Sequence, residues 1–384
     1  MKEKIRALLK KIYHGSVFCL RKVIFIIAPG NHIVFESIPD CSDNTKAVFD
    51  EMVNRGVNRN YKLVWFIYDQ FKQFPKIENV VYIDAHKKSL KYYWYYYTAK
   101  VLICCNRFLT SVDKRQHSFY LMHGTPIKKV KGYNYYCPEG IDYMITSGEG
   151  VNKMCSDQFN MPIEKCIPLG YPRNDALYIK YDLSTVFGHY NKYIVWYPTV
   201  RQFKGSHESN IKCTIPLIDD VIKAKEINDA AERFNILVIL KPHFAQDTSF
   251  ISAQSTSNIK IIDDQFLVDK GISSYQLVGN SHALLTDYSS IYYDYLLCDK
   301  PVGLILLDLE EYKKKPGLID EYEEYIDGGE KIFSVDDLVS FLSRVSKGED
   351  SKKENRDKIC KIANASINPD NAKRVVDFIM NVME

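Results

Sequence analysis

The repeated alternation of short apolar runs with segments of helical spacing constrains this chain more than any other feature. IVFES at 33–37 precedes DNTKAVFDEMVNRG at 43–56, a helix-like stretch closed by glycine. YKLVWFIYD at 61–69, NVVYIDA at 79–85, AKVLICCN at 99–106, SFYLMHG at 118–124 and IDYMITSG at 141–148 continue the alternation. Short, β-rich runs separated by helical segments fit a mostly parallel sheet covered by helices.

The second half repeats this grammar without a visible sequence repeat. Its strand candidates are NKYIVWYPT at 191–199, NILVILKPH at 235–243, NIKIID at 258–263, HALLTD at 282–287 and PVGLILLD at 301–308. IPLGYPRNDAL at 167–177 supplies turn-forming residues near the boundary between the halves. With 384 residues, 46% of them hydrophobic, the chain has enough core for two such units, so the expected fold is α/β, with two similar domains facing a central cleft. The boundaries are 1–30 for a leading segment, 31–185 for the first domain and 186–384 for the second, terminal helices included. KGEDSKKENRDK at 347–358 reads as an exposed turn or helix surface.

Lysine and arginine number 51 against 48 acids, and a net charge of +3 gives no whole-molecule footprint for nucleic acid. Ten cysteines without repeated C-x-x-C spacing point away from zinc and from a secreted disulfide scaffold, and towards a reducing cytosol. KYYWYYYT at 91–98 reads as a buried helix face with polar hydroxyl ends. At the amino terminus, Ile5, Leu8, Leu9 and Ile12 fall at helical spacing among Lys2, Lys4, Lys10 and Lys11. That basic amphipathic helix suits either packing on its own domain or an anionic membrane surface. The apolar stretch Val17–Ala28, interrupted by Arg21 and Lys22, is too short for a confident span.

Three strand ends carry candidate chemistry, because ligands of parallel sheets gather there. His123 in LMHGTPIKK is a general-base candidate, beside Gly124 for close backbone approach and Thr125 and Pro126 as the start of a helix. A structural histidine is the competing reading. Lys241 and His243 in LVILKPHFA suit anionic oxygens, the first as a cation and the second as a hydrogen-bond donor. Asp287, Ser289 and Ser290 close the run ALLTDYSS, where hydroxyls and helix-start N–H groups can cradle phosphate or simply cap the helix.

HGTPIK at 123–128, GYPRND at 170–175, WYPTVR at 196–201, KPHF at 241–244 and TDYSSIYYDYLLCDKPV at 286–302 together resemble the blocks of the CDP-glycerol glycerophosphotransferases, enzymes of teichoic-acid and capsule synthesis. FESIPDCSDNTKAVF at 35–49 and DLEEYKKKPGLIDEY at 308–322 extend the resemblance, which covers about 31–345. It implies a GT-B-like architecture of two Rossmann-like domains, the first for acceptor and the second for CDP-alditol. It further implies His123 as base, His243 on the donor phosphates, Ser289 and Ser290 on the pyrophosphate, and Asp287 ordering the loop or touching the alditol. Arg173 then positions acceptor or braces the domain junction, and Arg201 is a weaker anion-binding candidate. The sequence departs from the family in two places: Lys241 stands where an arginine is usual, and DGGEK at 327–331 replaces a Gly-Pro element. Lysine keeps the charge and loses the planar fork.

The implied reaction transfers glycerol phosphate from CDP-glycerol to a lipid-linked glycan and releases CMP at the cytoplasmic face of the membrane, with the enzyme held there peripherally. No DxD-like metal site is evident, so no obligatory metal is expected, with Mg²⁺ left as an escort of the donor. A CDP-ribitol donor, a nucleotide-sugar glycosyltransferase and a non-catalytic glycopolymer binder are the alternatives.

Overall fold

A computed structural model describes residue 23 and residues 30–69, 73–130, 136–200, 215–218, 220–243, 246 and 256–384. The expected amino-terminal amphipathic helix and Arg201 lie outside the described residues. Among the described residues no helix is long and apolar enough to cross a membrane.

The first sheet comprises β1 (His32–Glu36), β2 (Lys62–Ile67), β3 (Val80–Asp84), β4 (Val101–Cys104), β5 (His117–Tyr120), β6 (Tyr143–Thr146) and β7 (Cys166–Pro168). The second comprises β8 (Lys192–Trp196), β9 (Ile236–Leu240), β10 (Ile259–Ile261), β11 (Ala283–Thr286), β12 (Val302–Ile305) and β13 (Glu330–Ile332). Their orders are β3-β2-β1-β4-β5-β6-β7 and β10-β9-β8-β11-β12-β13. Every pairing is parallel. Each sheet therefore winds outward in both directions from one central pair, β1 with β4 and β8 with β11, and opens a crevice at their carboxyl ends. β7 and β13 were not among the expected strands. Each is three residues long, lies at a sheet edge and is only partly buried, so neither leaves a clear apolar signature.

Alternate side chains of a strand enter different cores, as the two-residue repeat demands. Ile33, Phe35, Leu63, Trp65, Val101 and Ile103 pack on one face of the first sheet. Val34, Val64, Phe66 and Leu102 pack on the other, in a cluster that continues through Tyr171 and Leu177 to Val195, Leu284 and Tyr292 of the second half. The two halves thus share one apolar core at their junction.

The carboxyl-terminal helix, Asn371–Met383, corrects the assignment of all terminal helices to the second domain. Its Val375, Val376, Ile379 and Met383 join the outer core of the first sheet, and Phe378 meets Phe119 and Tyr143 edge-on at 6.0 and 5.1 Å. An amphipathic helix buries its stripe on whichever apolar surface the chain can reach, and sequence order does not fix which. Asp175 anchors the return by accepting the N–H groups of Asn371 and Ala372 at 3.0 and 2.9 Å, together with Asn371 Nδ2 at 2.6 Å. The stretch at 347–358 is mostly exposed turn and helix surface, as expected, except for Arg356, which is fully buried and paired with Asp350 and Asp299.

Asp175→Ala removes the acceptors for two otherwise unpaired helix-start donors, worth about 1 kcal/mol. We expect amide exchange across 371–383 to accelerate roughly fivefold, measured by hydrogen–deuterium exchange, with the β1–β4 core unchanged.

Candidate active site

The carboxyl ends of the two sheets bring the sequence-derived residues together. From the first sheet, β5 runs into Leu121, Met122 and His123. His123 is exposed at its surface, and its Nδ1 lies 3.2 Å from the carbonyl oxygen of Cys105. A carbonyl only accepts, so Nδ1 carries the proton and Nε2 keeps its lone pair. The surrounding protein lowers the His123 pKa, opposed by Asp43 and the Cys105 hydrogen bond and reinforced by Arg173 and Lys128. The imidazole is accordingly neutral at pH 7, the state a proton acceptor needs.

No helix starts at Thr125 and Pro126, contrary to expectation. Thr125 is fully buried, with its hydroxyl 2.7 Å from Ser147 Oγ and 3.1 Å from Tyr171 Oη, so it pins the loop instead of capping a helix. The next residues cross to the second half: Lys128 bridges Leu318, Lys129 N–H donates to Gly317 O, and Ile127 O accepts from Ile319 N–H.

Gly124 has φ +137°, and a Cβ there would sit 2.1 Å from Ser290 Oγ. The close approach expected of this glycine is therefore to the opposing domain. Ser290 begins the helix Ile291–Tyr295, yet its hydroxyl makes no capping bond. Ser289 and Ser290 are both half-buried at the mouth of β11. Asp287 is buried and bound to the N–H and hydroxyl of Thr199 and the N–H of Tyr288, so it ties the end of β11 to the segment after β8.

His243 follows β9 and is exposed towards solvent on one side. The protein around its other sides, then Lys241 and Lys128, lower its pKa to about 4, with a smaller contribution from His123. His243 is therefore neutral at pH 7. Lys241 does not stand open to an anion as expected: it is buried, 2.7 Å from Asp264 Oδ1 and over the ring of Tyr197. Its charge is compensated in place, which leaves His243 as the exposed member of that motif. Among the described residues no group of three or more His, Cys, Asp or Glu side chains converges to hold a metal.

Arg173 clamps these parts. Its Nη1 reaches Asp43 Oδ1 at 2.7 Å and the His123 carbonyl at 3.0 Å, and its Nη2 reaches Asp294 Oδ2 at 2.8 Å. Asp294 is fully buried and also receives Asn174 Nδ2 at 3.1 Å and Tyr275 Oη at 2.6 Å. Asp43 belongs to the helix after β1 and Asp294 to the helix after β11, so one guanidinium joins both halves beside His123. Sequence reasoning named Arg173 and missed Asp43, Asp294 and Glu36. Glu36 had a visible signal, as the acid that ends an otherwise apolar strand run.

A sequence model of the CDP-glycerol:poly(glycerophosphate) glycerophosphotransferase family matches residues 20–381. The chain belongs to that family, the CDP-alditol phosphotransferases of teichoic acid synthesis, and has their GT-B-like fold. It is 23% identical over 361 residues to a teichoic acid glycerol-phosphate transferase of Staphylococcus aureus, covering 84% of this chain and 86% of that one. It is 25% identical over 341 residues to a teichoic acid poly(glycerol phosphate) polymerase of Bacillus spizizenii, covering 81% and 82%. A solved structure of the wall teichoic acid polymerase TagF superposes with a TM-score of 0.73 over 100% of this chain and 98% of that one, at 19% identity.

Arg173→Lys keeps one charge but cannot reach three acceptors at once, leaving Asp294 buried without its full partner. We expect a stability loss of about 2–3 kcal/mol by chemical denaturation. Limited proteolysis of the same variant should reveal new cleavage between the halves.

Proposed function

We propose that the protein transfers glycerol phosphate from CDP-glycerol to a terminal hydroxyl of a lipid-linked surface glycan and releases CMP. The observation that carries this reading is the placement of His123, tautomerically fixed with Nε2 as acceptor, next to Gly124, which abuts Ser290 of the opposite domain, and within electrostatic reach of His243. The acceptor hydroxyl attacks the β-phosphorus of the donor, and its proton passes to His123 Nε2 as the new P–O bond forms. The bond from that phosphorus to the bridging oxygen breaks, and the oxygen leaves on CMP. Hydrogen bonds from neutral His243 and from the Ser289 and Ser290 hydroxyls offset charge on the phosphate oxygens.

A lipid-linked acceptor requires the cleft to lie near a bilayer, and one surface supports this. The helix Leu90–Thr98 starts at the carboxyl end of the first sheet, the end that carries His123. Tyr92 and Tyr96 pack inward against Phe66, while Leu90 is 90% exposed and Trp94 49% exposed, one turn apart. The expectation that this aromatic run forms a buried face therefore holds for one side only. Lys87, Lys88 and Lys91 are exposed around them. Apolar and indole groups ringed by lysines suit the interface of an anionic membrane.

Purified protein given CDP-glycerol and a short lipid-linked glycan should yield CMP and product heavier by whole glycerol phosphate units, read together by mass spectrometry. Product from CDP-ribitol alone, or from a nucleotide sugar alone, would overturn the donor assignment. His123→Gln should lower turnover at least a hundredfold while donor affinity stays within about threefold. For the membrane surface, Trp65 and Trp196 are each 1% exposed, so quenching by brominated anionic lipid reports Trp94. We expect quenching that Leu90→Ser weakens. Emission unchanged by vesicles that bind the protein would exclude this face.

A further inference from the structure

Glu36 is the last residue of β1 and is fully buried. It lies opposite Cys104 of β4, at the central pair from which the first sheet winds outward. Its Oε2 accepts the N–H groups of Asn106 and Arg107 at 3.3 and 3.0 Å. Further contacts hold the same two segments together: Ile38 N–H donates to Asn106 Oδ1 at 2.8 Å. The Thr45 hydroxyl lies 3.0 Å from the Glu36 carbonyl and 3.1 Å from Cys105 Sγ. The turn begins at Cys105, whose carbonyl receives His123 Nδ1–H.

A buried carboxylate is a costly way to satisfy two backbone donors, since a neutral amide would lose far less hydration. Among the described residues its Oε1 has no hydrogen-bond partner, so the fold recovers that cost only in part. The cost becomes intelligible in what the turn carries.

We propose that Glu36 is a positioning residue for the base: its carboxylate holds the turn at 105–107, and through the Cys105 carbonyl it keeps His123 in the Nδ1–H tautomer with Nε2 as proton acceptor. The proposal rests on the reading of His123 as base. Charge on Glu36 strengthens the two N–H bonds, and protonation weakens them. Burial raises the Glu36 pKa to about 7, opposed by the Arg107 and Asn106 N–H bonds and by the Arg107 charge. The other ionisable groups facing this pocket are the buried thiols of Cys104 and Cys105, which burial and Glu36 push upward, and Tyr68, whose ring lies under Arg107 at 4.2 Å. Asp40, bound to the N–H groups of Tyr68 and Asp69, and Asp43, whose charge acts on Cys105, also lie here. As pH rises through about 7 the carboxylate ionises and the clamp tightens.

The test compares wild type, Glu36→Gln and Glu36→Ala in the full chain. We expect kcat to fall about tenfold in Glu36→Gln and further in Glu36→Ala, with KM for CDP-glycerol within about twofold, because the donor lies in the other half. In wild type, kcat should rise through about pH 7, and Glu36→Gln should lack that inflection. ¹⁵N NMR of labelled histidine, with His123 assigned by His123→Gln, should show a single Nδ1–H tautomer in wild type and a mixture in the variants. Wild-type measurements guard against misfolding of the variants, since the Asn106 and Arg107 amide shifts should titrate near pH 7. A folded Glu36→Gln with wild-type kcat, pH profile and His123 tautomer overturns the proposal. Full turnover in His123→Gln would instead remove the reading beneath it.

Discussion

The Arg173 guanidinium holds the two halves in register. It is bound at once to Asp43 and the His123 carbonyl of the first half and to the buried Asp294 of the second. A buried cation between two carboxylates is stable only while its geometry is satisfied, so the pair acts as a strict spacer between the domains. Asn174 beside it binds the same Asp294, and Asp175 captures the start of the terminal helix. Three consecutive residues thus set the junction, the His123 loop and the return of the chain to the first sheet.

Around this clamp, the two sheets present equivalent ends to one another. In the first, β1 and β4 supply Glu36 and the Cys105 carbonyl that fix His123. In the second, β8 and β11 are tied by Asp287 to Thr199, which places Ser289 and Ser290 at the mouth. The close fit of Gly124 against Ser290 shows how little space separates the two halves at this point. Chemistry that joins two substrates benefits from that proximity, because the reacting groups are oriented before they meet.

Much of this was legible in sequence. Apolar runs such as IVFES and NILVILKPH marked the central strands, because a strand buried on both faces has no room for polar side chains. The strand-end positions of His123, His243, Asp287 and the serines were legible because each follows an apolar run directly. The edge strands at 166–168 and 330–332 were not, since partial burial leaves mixed composition. The partner of Lys241 was also hidden: Asp264 lies beyond β10, and pairing across that separation leaves no periodic signal.

The sequence by itself determined two parallel α/β units and their strand-end motifs, because periodicity and local turn chemistry act over a few residues. Its ordered blocks also determined the family. Only the tertiary structure decided that Gly124 faces Ser290, that Arg173 joins Asp43 to Asp294, and that helix 371–383 closes on the first sheet. Those contacts join residues far apart in the chain, and their energies depend on desolvation and geometry that exist only once both halves are folded together.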